Sequence, residues 1–165
     1  MKLTLIILSS LIIIALAYFI YLGFKSHNGS PYGLRNSKLS PCTSKPNCIC
    51  TEYPEDKSHF TEAFNYSETN TDSIVQSIRA SIKQTGGEII NAEKINNKST
   101  YISANYTSAL FRYVDDFEVR IDTQKKRIHM RSASRVGHSD MGANLKRIQA
   151  FTKMLSQQIQ ISRRD

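Results

Sequence analysis

The 165 residues contain no tryptophan and only three cysteines, four prolines and seven glycines. Three cysteines in a chain of this length exclude a small disulfide-stapled scaffold. No C-x-x-C pair offers a thioredoxin-like redox site, and no glycine-rich stretch forms a P-loop or a Rossmann turn. Four histidines (His27, His59, His129 and His138) are scattered, with no i, i+4 pair to hold a metal on a helix. Nothing resembles a nucleophile elbow. Acidic residues are the scarcer charge, 14 against 22 basic ones, which leaves a net charge of +8. No internal repeat is visible. A multi-spanning transporter and a multidomain enzyme are both excluded by length.

What the chain has instead is one long apolar run. Leu3 to Phe24 (LTLIILSSLIIIALAYFIYLGF) carries no charge over 22 residues. A helix of that length reaches about 33 Å, enough to cross the hydrocarbon core of a bilayer. A signal peptide has a shorter apolar region, and cutting after Ala15-Leu16-Ala17 would leave a greasy new terminus. The reading is an uncleaved anchor over residues 3–24. A polar tether over 25–32 and one domain over 33–160 follow it.

Two signals about orientation disagree. Lys25, Arg35, Lys38 and Lys45 follow the span, and the positive-inside rule would draw that side into the cytoplasm. Cys42 and Cys48 sit in a proline-rich loop, S-P-C-T-S-K-P-N-C, at a spacing that closes a small disulfide. Disulfides persist outside the cytosol. The disulfide reading is preferred here, so the body is expected on the periplasmic or equivalent side of the inner membrane. Cys50 is left over. A zinc site built from Cys42, Cys48, Cys50 and His59 does not match the common knuckle spacings.

All four prolines lie between Pro31 and Pro54, so residues 25 to 60 read as an irregular lead-in. Periodicity starts at Asn70. Asn70, Thr71 or Asp72 caps a helix with Ile74, Val75, Ile78 and Ile82 on one stripe, ended by Gly86-Gly87. Strands follow over Glu88–Ile95 and Ser99–Thr107, joined by a turn at Asn96-Asn97-Lys98. Val114–Ile121 alternates, with Phe117, Val119 and Ile121 facing inward and Asp116, Glu118 and Arg120 facing water. A charged loop, Asp122 to Lys126, leads to a strand with Ile128 and Met130 buried and His129 on the wet side. Met141, Leu145, Ile148, Phe151, Met154, Leu155 and Ile159 recur at helical steps, behind a cap at Ser139 or Asp140. The order predicts an α+β fold, an antiparallel four-stranded sheet with helices packed on one face, preceded by one transmembrane helix.

Three segments carry a resemblance: Gly33–Cys48 (GLRNSKLSPCTSKPNC), Val114–Asp122 (VDDFEVRID) and Arg131–Arg147 (RSASRVGHSDMGANLKR). Together they resemble the domain of unknown function 1499 family, over roughly residues 33 to 158. The resemblance implies no agreed biochemical activity. Cys50 stands where the family pattern is expected to have a serine.

The Arg131–Arg147 segment supports two readings. Arg131, Arg135 and Arg147, with Ser132, Ser134, Ser139 and Asn144, could hold an anionic ligand near a helix N-terminus. Equally, Asp115, Asp116 and Glu118 on the preceding strand could pair with those arginines and fix the turn. The function expected is a non-enzymatic membrane-anchored protein that binds an anionic ligand, a lipid headgroup or an envelope protein through this turn. The alternative is an enzyme using His138 with Arg131 and Arg135. No cofactor, metal or nucleic-acid partner is expected, and residues 3–24 make the membrane contact.

Overall fold

The computed structural model describes residues 2–68, 70–96 and 99–162. The apolar run forms helix α1, Lys2–His27, with no buried residue in its most apolar stretch. By length and composition it can cross a membrane, as an anchor or a signal sequence would.

The body is built on four long strands in meander order: β5 (Glu88–Asn96), β6 (Ser99–Thr107), β7 (Val114–Asp122) and β8 (Arg127–Ser134). All pairings among them are antiparallel. The expected turn at Asn97-Lys98 lies outside the described residues. Helices α2 (Thr71–Gln84) and α3 (Ala143–Ser162) share a core with this sheet. Asn70 caps α2 by accepting from the N–H groups of Asp72 and Ser73, and Ile74, Ile78 and Ile82 are fully buried. They meet Phe117, Val119, Ile121, Ile128, Met130, Phe151 and Leu155. Each such side chain contributes about 1.5–3 kcal/mol by leaving water.

Three expectations need correction. Among the described residues the sheet has six strands, not four, because two short pieces, one in the lead-in and one just after it, add along β8. β3 (Cys48–Cys50) pairs at Ala133, Ser132 and Arg131, and β4 (Phe64–Asn65) pairs at Ile128 and Arg127. Both satisfy backbone groups that the outer side of β8 would otherwise leave unpaired. A further small hairpin, β1 (Leu34–Arg35) with β2 (Lys38–Leu39), stands apart from the sheet.

The second correction concerns the face expected to be wet. Asp116, Glu118, Arg120, His129 and Arg131 are all buried there. The lead-in covers them, with Leu39, Cys50 and Tyr101 forming a second small core, joined by Tyr53. The third is a boundary. α3 starts at Ala143, and Met141, expected on its apolar stripe, is 92% exposed with a φ of 53°. Asp140 caps the helix through the N–H groups of Gly142 and Asn144.

The lead-in is held in place by a disulfide between Cys42 and Cys48, as the spacing suggested. Residues 25–32, expected as a tether, make specific contacts. Ser26 is fully buried, accepts from the Val114 N–H at 3.0 Å, and its carbonyl accepts from Arg135 at 3.1 Å.

Candidate functional site

Alternation along β7 sends its two neighbouring aspartates to opposite sides of the sheet. Asp115 faces the helices and pairs with Arg147 of α3 at 2.6 Å. Arg147 also donates to Ser132 and Asn144, and lies over the Tyr106 ring. Asn144 in turn donates to the Asn47 carbonyl and to Ser134. Ser139 accepts only from the nearby Met141 N–H among the described residues.

Asp116 and Glu118 face the lead-in. Arg135 holds Asp116 through two nitrogens, at 2.7 and 3.0 Å, and donates to Asn105. Arg131 pairs with Glu118 at 2.8 Å, directly across the register of β7 and β8. Glu118 is 0% exposed and Arg131 2%. Tyr101 and the Gly33 N–H also donate to Glu118. Burial, reinforced by that carboxylate, pushes the Tyr101 phenol up, so it stays a donor. The seven polar residues of the Arg131–Arg147 segment therefore do not converge. Arg147, Ser132, Ser134 and Asn144 knit β8 to α3, while Arg131 and Arg135 lie on the other face. His138 is exposed, and none of the three arginines bonds to it among the described residues.

Farther along the same covered face the groups do converge. Arg120 donates to Glu52 at 2.6 Å and lies 3.6 Å from Asp122. His129, opposite Arg120 in the register, brings Nδ1 to 3.4 Å from Thr51 Oγ1 and 3.8 Å from Glu52. Glu52 comes from the loop after β3, which β3–β8 pairing lays over the strands. Burial pushes His129 below the ordinary imidazole value, against the pull of Glu52, so the ring is neutral at pH 7. Burial opposes the Asp122 charge, but N–H donors from Lys125 and Gln124 and the Arg120 guanidinium hold its carboxyl below the usual range.

These groups form the floor of a groove of about 770 Å³. Lys38, Lys57, Lys125 and Arg127 stand on its walls, so five basic side chains meet three carboxylates, Glu52, Glu62 and Asp122. Basic side chains thus outnumber carboxylates by two in the groove lining. Sequence reasoning missed the groove. Its one legible signal was the opposite placement of Arg120 and His129 in a hairpin; Glu52 lay in a stretch without periodicity.

The family profile described as protein of unknown function (DUF1499) matches residues 38–155. The chain belongs to the DUF1499 family. The match covers the lead-in from Lys38 onward, the whole sheet and most of α3, so the buried ion pairs and all of the groove lining except Asn36 and Ser37 lie within the DUF1499 region. Searches of curated proteins and of solved structures find no match.

Proposed function

We propose that this DUF1499 protein is a single-pass inner-membrane protein whose periplasmic or equivalent extracytoplasmic domain binds a small soluble anion, without catalysis. The observation that carries the reading is the groove floor, where Glu52, Arg120 and His129 are buried beneath a basic rim. Buried ionisable groups lining a cleft are costly to fold around, which favours a role in recognition. The Cys42–Cys48 disulfide supports the extracytoplasmic placement. The groove lies at the Asp122 end of β7, whereas α1 meets the Val114 end. The nine residues between span roughly 27 Å, which favours a ligand from solution over a headgroup.

A calorimetric titration of the full chain in nanodiscs with inorganic phosphate, citrate and a hexose phosphate tests this. Saturable binding of at least one is expected, weakened about tenfold or more in Arg127→Glu, equivalent to about 1.4 kcal/mol. Binding to none of the three, or binding indifferent to that reversal, would sink the reading.

A second reading keeps the ligand at the Arg131–Arg147 turn and has one observation in its favour. Among the described residues Arg131 Nε is buried without a hydrogen-bond partner, and Arg131 and Arg135 line a cavity of about 300 Å³ beside Gly29 and Tyr32, just after α1. That position suits a lipid phosphate. Lipid retained by the full chain in native mass spectrometry, and lost in Arg131→Met but not in Arg127→Glu, would favour it. The enzyme reading through His138 has less support, because that ring is exposed and apart from the paired arginines.

A further inference from the structure

The loop between β6 and β7 leans on the apolar helix well inside its uncharged stretch. Phe111 lies 5.2 Å, centroid to centroid, from Phe19, and stacks on Tyr113 at 5.7 Å. Gly23 allows this approach: a Cβ there would come within 2.2 Å of the Phe111 carbonyl oxygen. Two hydrogen bonds close the contact at its outer end, His27 Nε2 with the Arg112 carbonyl at 3.1 Å and the Val114 N–H to Ser26 Oγ at 3.0 Å. The loop itself is pinned, since Ser108 N–H donates to Tyr113 O and Tyr113 N–H donates to Ser108 Oγ. At its tip Leu110 is 80% exposed.

Phe19 precedes Lys25, the first charge after the apolar run, by six residues, or about 9 Å of helix. If α1 spans a bilayer, Phe19 lies several ångströms below the headgroups, and a ring in contact with it lies at a similar depth. We infer that the loop 108–113 is a second membrane contact, which inserts Leu110 and Phe111 into the leaflet on the body side. Arg112 is exposed beside them, and its long side chain reaches back toward lipid phosphates. Interfacial insertion of this kind buries apolar side chains about 5–10 Å deep. The inference rests on the anchor reading and extends it from one attachment to two. The domain is thereby seated on the bilayer, not held above it on a leash.

The absence of tryptophan makes the test direct, because one introduced indole is the only one in the chain. Full-length Leu110→Trp, Leu16→Trp and Lys125→Trp are each reconstituted in phosphatidylcholine–phosphatidylglycerol vesicles carrying bromine on the acyl chains. The inference expects loss of emission at positions 16 and 110, with a blue shift at 110, and unquenched emission at 125. Quenching at 16 without quenching at 110 overturns the second contact and leaves the anchor standing. No quenching at 16 overturns the anchor and the loop insertion together. Leu110 is already exposed, so its replacement leaves the fold intact.

Discussion

Burial holds the imidazole of His129 below its ordinary pKa, so folding selects the neutral ring. The unfolded chain then binds more protons than the native one once pH falls below about 6.5. Stability from this group is fully present above that value and is lost as pH drops toward the depressed native pKa. The melting temperature of the full chain should therefore fall between pH 7 and pH 5, and His129→Gln should flatten the slope. Thermal melts by circular dichroism check this, and an identical slope in the variant would assign the effect elsewhere. Cys50 behaves in the opposite sense as an acid. Burial pushes its thiol up to about 11, so it stays protonated at neutral pH.

Between β7 and β8 the decisive contact is the Glu118–Arg131 pair. Removing one partner leaves a charge stranded in the interior, at a cost of about 3–5 kcal/mol. Arg131→Met should lower the urea midpoint strongly, and adding Glu118→Leu should recover much of the loss. If the double variant is no better than the single, the pair is not the source of the cost. These strands also show how far sequence reading reaches. The Ile74–Ile78–Ile82 stripe, the Asn70 cap and the alternation of Phe117, Val119 and Ile121 were legible, because periodicity reports directly on a buried apolar face. Alternation also separated Asp116, Glu118 and Arg120 onto the other face. It could not tell water from a lid. The lid is aperiodic: Leu39, Tyr53 and the Cys42–Cys48 loop cover charges that neutralise one another across strands. For the same reason the candidate groove stayed hidden, since Glu52 joins Arg120 only through tertiary contact.

For the molecule as a whole, the disulfide fastens this lid to the sheet. It closes a short loop, with a sequence separation of 6, for which chain entropy alone gives a stabilisation of about 2 kcal/mol. Reduction should lower stability by about that amount and expose the covered charges, which urea titration with and without reductant measures. A reduced chain as stable as the oxidised one would show the lid to be held by packing alone. The two sides of the sheet end differently. β8 is closed off by β3 and β4, while β5 lies outermost on the opposite side. Most of its residues are exposed, Ile90 among them, which is an invitation to strand addition by a second chain. Its register slips twice, between Ile89 and Asn91 and between Lys94 and Asn96, and Glu88, Glu93 and Lys94 place charge along it. An incoming strand would have to straighten both irregularities and desolvate those charges. The open margin is therefore a poor template for fibril growth.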